Sequence, residues 1–135
     1  MRLLIDGNIL LDVLQKREPY YSDSANIWKM CEIDLVEGHV PALTFANLVY
    51  VMRKELSPDR VEEILKALSL IFHFEDLKGS DLEGAAALHW TDYEDALQAV
   101  IAQRVGADYI ITRNVKDFIN SRVTAITPSE FLARQ

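Results

Sequence analysis

The fold that the sequence predicts is an α/β domain with a mainly parallel central sheet and helices on both faces. Three observations predict it. Short apolar runs such as Leu3–Ile5 and DYIIT alternate with longer segments whose apolar residues recur at helical spacing. The strand candidates are continuously apolar, as in strands buried on both faces. The chain has 135 residues, of which 50% are hydrophobic, enough for one packed core and short for two domains. No repeat, low-complexity stretch or linker divides it, so residues 1–135 read as one domain.

The elements follow in order. Arg2–Ile5 reads as a buried strand ending at Asp6, and Gly7-Asn8 breaks it. Ile9, Leu10, Val13 and Leu14 continue at helical spacing until Glu18-Pro19 ends the helix. Ser22 is the expected N-cap of a second helix carrying Ala25, Ile27, Trp28, Cys31 and Ile33 to about Glu37, with Gly38 as its stop. His39–Leu43 is a short strand candidate, and Thr44 is the expected cap of a helix through Phe45, Leu48, Val49 and Met52. Ser57-Pro58 opens the next helix, with Val61, Ile64, Leu65, Leu68 and Ile71 inward. Phe72–Phe74 reads as a brief strand, and Ser80 starts a small-residue helix to Leu88. Asp92–Val105 is a strong helix stopped by Gly106. Asp108–Thr112 and Val123–Ile126 are strands, and Pro128 starts a last helix over Phe131 and Leu132.

Fourteen basic against 21 acidic residues give a net charge of −7, which argues against a basic surface that clamps nucleic acid by neutralising phosphates. An acidic site that handles phosphates through metal ions stays open. The single cysteine, Cys31, excludes an intramolecular disulfide and a multi-thiolate zinc site, and its helical spacing marks it as a buried small hydrophobe. Asp6 and Asp12 interrupt the apolar N-terminal run, so it does not read as a signal peptide. No segment approaches the roughly 20 apolar residues of a membrane span. The expectation is a cytoplasmic protein without membrane attachment.

Ligands of open α/β sheets gather beyond the carboxyl ends of the strands. Here those ends carry Asp6 and Asn8, then Thr112, Arg113, Asn114 and Asp117. Asp92 and Asp95 stand three residues apart at a helix N-terminus, where the dipole favours anions. Taken alone, Asp92 reads first as a helix cap, and Asp117 also fits a plain turn residue. Asp6 follows a buried strand and needs a partner in the interior. Carboxylates gathered at one sheet edge repel one another, and hard oxygen donors select Mg2+ or Mn2+ over zinc. His39, His73 and His89 sit in or beside apolar runs and read as structural.

LLIDGNILLDVL, PALTFANLVYVMRKEL and DYEDALQAVIAQRVGADYIITRNVKDF together resemble the PIN-domain family in order and spacing over nearly the whole chain. The nearest branch in pattern is that of the VapC-like toxins. The resemblance implies a Mg2+- or Mn2+-dependent endoribonuclease, the toxin of a type II toxin–antitoxin pair held inactive by a small antitoxin. It also implies a homodimer. Carried over by position, the family's first acid falls on Asp6, the acid before Ala-Leu on Asp95, and the last on Asn114 or Asp117. Asn8 and Thr112 fall on supporting polar positions. Asn47 stands where many relatives carry a glutamate, and it brings an oxygen but no charge; Asp92 is one candidate to compensate. Gly7 stands where a threonine is frequent. Asp6, Asp95 and Asp117 are therefore the expected catalytic set, with Asp92 and Asn114 as further metal ligands. Asn8, Asn47, Thr112 and Arg113 are expected in support, Arg113 toward phosphate or in an ion pair.

Two other readings compete. A PIN-like binding module with a weakened metal site is favoured by Asn47. A response-regulator-type domain expects a second acid beside the first and a lysine on a late strand, whereas here Asp6 is followed by Gly7 and DYIIT by Arg113. Tyr20, Tyr21, Trp28, Phe45 and Tyr50 are expected mostly in the core; any two found exposed would mark a partner surface.

Overall fold

The structure is a computed structural model that describes residues 1–135. Strands β1 (Arg2–Ile5), β2 (Glu37–Pro41), β3 (His73–Glu75), β4 (Tyr109–Ile111) and β5 (Ala125–Ile126) form one parallel sheet in the order β3-β2-β1-β4-β5. Helices α1 (Gly7–Leu14), α2 (Tyr21–Glu32), α3 (Ala42–Met52), α4 (Pro58–Ile71), α5 (Gly79–Leu88), α6 (Tyr93–Arg104) and α7 (Pro128–Ala133) cover it, and a 3-10 turn spans Val115–Phe118. The expected α/β architecture is present. No helix is long and apolar enough to cross a membrane.

Both sheet faces are dry. Leu3 and Ile5 of β1 enter one core with Ile9, Ile27, Phe45, Leu48, Leu68 and Phe131, while Leu4 enters a second with Ala96, Leu97, Ile101 and Phe118. Ile111 and Ile110 of β4 divide the same way. Side chains of a strand alternate between faces, so a strand covered twice must be apolar at every position. Ala96, Ala99 and Ala102 let α6 lie close to the sheet, which sets its N-terminus beside the ends of β1 and β4.

Several boundaries differ from the sequence expectation, each for a local reason. The first helix stops at Leu14, not at Glu18-Pro19, because Lys16 turns left-handed (φ 49°). The second begins at Tyr21 rather than after a Ser22 cap and stops at Glu32, not Glu37. Asp34 takes the left-handed position there (φ 60°), and Leu35 N–H and Asp34 N–H donate to Met30 and Cys31 carbonyls at 2.9 and 3.3 Å. That is the Schellman pattern with aspartate in place of glycine. Gly38 is consequently no helix stop. It lies inside β2, where a Cβ would come within 2.7 Å of both Cys31 Sγ and Phe72 Cδ1.

Strand β2 starts at Glu37 instead of His39, and Pro41 rather than Thr44 precedes α3; Thr44 is buried inside that helix. Strand β3 is shifted by one residue because Phe72 turns inward against Trp28, edge to face at 5.3 Å. Helix α5 begins at Gly79, its Lys78 N–H donating to Asp81 Oδ2 at 2.9 Å. Buried Asp81 also receives Arg104 Nε and Nη2 at 2.8 and 2.9 Å, a bidentate pair that ties α5 to α6. Burial opposes its ionisation, yet Arg104 and the Lys78 amide hold its carboxyl below the ordinary value. The expected caps Ser57 and Asp92 are found as read, and Thr127, which the sequence reading did not single out, caps α7 ahead of Pro128. Cys31 is buried and free, and burial pushes its thiol up to about 12.

Candidate nuclease site

Strand order runs outward in opposite directions from β1 and β4, and a crevice opens where their carboxyl ends diverge. Asp6 is the residue after β1, fixed by its N–H donating to the Ile111 carbonyl at 3.0 Å. Thr112, the residue after β4, is fully buried and donates its hydroxyl to Asp6 Oδ2 at 2.8 Å. The Thr112 hydroxyl oxygen in turn accepts the Asn114 N–H at 3.0 Å. Two strand ends are thus joined through one carboxylate. Burial raises the Asp6 carboxyl above its ordinary value; the Thr112 hydroxyl, the amides of Asn8 and Gly7, and Arg113 oppose that rise.

Helix α6 supplies the acids opposite. Asp92 is its N-cap, accepting the Asp95 N–H at Oδ1 at 3.0 Å. Asp95 is pushed up to about 6 by burial and then by the charges of Asp92, Asp117, Asp6 and Glu94. Asp92, Asp95, Asp117 and Lys116 line a groove of about 740 Å3 with Trp90 at its wall. On the other side of Asp95, Asp6, Asn8, Thr44, Asn47, Glu94 and Gln98 line a smaller cavity of about 200 Å3. Asp6, Asp95 and Asp117 of the expected set therefore share one electrostatic neighbourhood.

Arg113 turns away from it. Its Nε lies 3.1 Å from Oδ2 of fully buried Asp12, its guanidinium stacks 4.0 Å over the Tyr20 ring, and Ser24 Oγ donates to the same Asp12 oxygen at 3.0 Å. Of the five aromatic residues expected mostly inside, only Phe45 is buried; Tyr20 and Tyr50 are exposed, Tyr21 and Trp28 half-buried. The space beside Gly7 is occupied, since a Cβ there would meet the Thr44 methyl at 3.0 Å.

Three residues escaped the sequence reading. Glu94 lies in the cavity with Asp6 and accepts Asn47 Nδ2 at 2.8 Å. Gln98 is buried there with Oε1 unpartnered, and Asp12 is the buried counter-charge of Arg113. A signal for Glu94 existed: residues 94, 95 and 98 fall within one arc of about 100° on a helix, next to a position where Asn47 brings no charge.

The PIN domain family model matches residues 2–116. The chain belongs to the PIN domain family. Its fold is shared with solved structures at low identity. A toxin–antitoxin complex from Klebsiella pneumoniae is 22% identical, with 93% of this chain and 97% of that one covered and a TM-score of 0.72. DNA-bound VapBC from Salmonella typhimurium is 16% identical over 95% and 98%, with a TM-score of 0.69. The sarcin–ricin-loop-cleaving toxin VapC20 of Mycobacterium tuberculosis is 9% identical over 80% and 86%, with a TM-score of 0.64. No curated protein sequence matches the chain.

The donor set of this PIN domain suits a hard divalent cation. It consists of carboxylates and amide oxygens, and the unpartnered Gln98 Oε1 adds a neutral acceptor at the same place. No histidine or thiolate stands among these lining groups, apart from His89 at the groove's rim.

Proposed function

We propose that this PIN domain is a metal-dependent endoribonuclease, the toxin component of a type II pair of the VapBC kind. The observation that carries the reading is the gathering of Asp6, Asp92, Glu94, Asp95 and Asp117 in the groove and cavity at the carboxyl ends of β1 and β4, where Asp95 is raised first by burial and then by the charges of the other four. A group of acids that resist ionising together is a site whose charge is completed by a cation.

Asp6, Asp95 and Asp117 would hold Mg2+ or Mn2+, with Asp92, Glu94 and Asn114 as further donors. When bound, the ion lowers the pKa of a water and offsets charge on the scissile phosphate. The chain's own side chains prepare that site. Thr112 fixes the orientation of Asp6 through one carboxylate oxygen. Asn47 fixes Glu94 by its amide, so the charge that relatives place on the middle helix arrives here from α6. Asn8 and Gln98 add polar walls, and Lys116 stands at the groove rim where phosphate would pass.

The antitoxin reading draws on similar structures that are described as toxin–antitoxin complexes. An arginine from a small antitoxin fits the acidic groove, and exposed Tyr20 and Tyr50 offer apolar contact to it or to a second copy in a homodimer. Purified protein with Mn2+ should cleave RNA, and the Asp6→Ala variant should not. Equal residual cleavage by both would assign the activity to a contaminant. The competing reading, a PIN-fold binding module, rests on uncharged Asn47; it gains if RNA is bound and no Mn2+-dependent product forms. Expression in a bacterium without the partner should slow growth.

A further inference from the structure

We infer that the chain carries a second metal site, of zinc type, at the start of β2 and β3, built from Glu37, His39 and His73. Residues 37 and 39 share one face of β2, because side chains two apart in a strand point the same way. His73 is the register partner of His39 on β3. The donor atoms of the three residues lie within 4.8 Å of one another.

His39 is the pivot. Its side chain is only 8% exposed, its Nδ1 faces Glu75 Oε1, and its Nε2 has no hydrogen-bond partner. The half-buried Glu75 carboxylate on Nδ1 holds the proton there and leaves Nε2 as a lone-pair donor, the arrangement by which proteins orient a ligating imidazole. That Nε2 points at Glu37 Oε1 at 3.9 Å, and His73 Nε2 stands 3.8 Å from the same oxygen. These distances are too long for hydrogen bonds. Ligands around tetrahedral zinc, bound at about 2.0–2.2 Å, stand about 3.4 Å apart, so the two carboxylate–imidazole separations need to shorten by about half an ångström, and the imidazole nitrogens, within 4.8 Å of each other, close by rotation of His73. Arg2 Nε lies 3.4 Å from the other oxygen, Glu37 Oε2, which keeps Oε1 toward the imidazoles.

The two rings are stacked, 4.7 Å apart and 16° from parallel. His73 is exposed and turns about its side-chain bonds to bring its lone pair to the ion. Water completes the fourth position. Two imidazoles and a carboxylate favour a first-row transition ion over Mg2+, so the donor chemistry differs from that of the carboxylate site. The place differs too. Glu37 pairs in register with Arg2 at the start of β1, whereas Asp6 follows the last residue of that strand. Bound zinc would clip three-residue β3, an edge strand, to β2, and stabilise the fold by mass action.

The test uses the untagged full chain, stripped of metal and titrated with Zn2+ against a chromophoric chelator, and with Co2+ as an optical probe. One equivalent of Zn2+ should be retained in a large excess of Mg2+, and Co2+ should give visible bands of an imidazole-ligated, low-coordinate ion. His73→Ala and Glu37→Gln, both at exposed positions, should each weaken Zn2+ by about tenfold or more and abolish the bands, with circular dichroism unchanged. Asp6→Asn should leave both readouts intact. Failure to retain Zn2+, unchanged retention in His73→Ala, or loss in Asp6→Asn would overturn the site while leaving the nuclease reading untouched.

Discussion

Asn47 on α3 donates its side-chain amide to the Glu94 carboxylate on α6 at 2.8 Å, across the cavity that also holds Asp6. The pair places a negative charge close to the expected middle-helix position from a different helix. It also gives Asn47 a reason to be uncharged: a glutamate there would face Glu94 at hydrogen-bond distance with no proton to share.

Glu94→Gln should therefore weaken Mn2+ binding and cleavage by about 10- to 100-fold. Asn47→Glu alone should lower stability and bring no gain in cleavage. The exchange Asn47→Glu with Glu94→Gln should recover more activity than either single variant. Initial cleavage rates across this cycle check it; additive losses would mean the two residues act separately.

Thr112→Val keeps the shape and removes the hydroxyl that joins β4 to Asp6. It leaves Asp6 Oδ2 and the Asn114 N–H without their partner, so unfolding free energy should fall by about 1–3 kcal/mol. The Asp6 carboxyl, already raised by burial, should rise further. Thr112→Ser should restore both stability and metal affinity. Chemical denaturation with and without Mn2+ measures each.

Asp95 is raised from 3.8 to about 6 in the fold. The folded state then binds its proton more tightly than the unfolded chain does. Its ionisation works against folding, and in EDTA stability should fall as pH rises from about 4 to 6. Asp95 is only partly buried, so the effect after solvent screening is of order 1 kcal/mol. Asp95→Asn should raise Tm at pH 7 and change it little at pH 4. Mn2+ should remove the same pH dependence in the wild type.

Arg113→Met should unfold more easily by about 3 kcal/mol, because it strands the buried Asp12 charge. Adding Asp12→Asn should return part of that loss. Cleavage per folded molecule should fall less than the loss of a metal ligand would make it fall. A larger effect on KM for RNA than on stability would restore the phosphate-contact role.

By itself the sequence determined the class of fold, because two-faced burial of β1 and β4 demands unbroken apolar runs and α6 demands apolar helical spacing. It placed Asp6, Asp95 and Asp117 together through strand ends and one helix start, all local signals. Boundaries were less legible where a non-glycine residue took a left-handed turn, as Lys16 and Asp34 do, or where a glycine served packing, as Gly38 does. Tertiary structure alone decided which side chains meet across elements. Arg113 follows the site motif in sequence but finds Asp12 of α1, and Asn47 finds Glu94 from 47 residues away. His39 and His73 read singly as structural residues of two strands, and only strand register stacks their rings. Contacts of that kind depend on how the sheet is ordered and how closely α6 packs on it, and no local pattern encodes either.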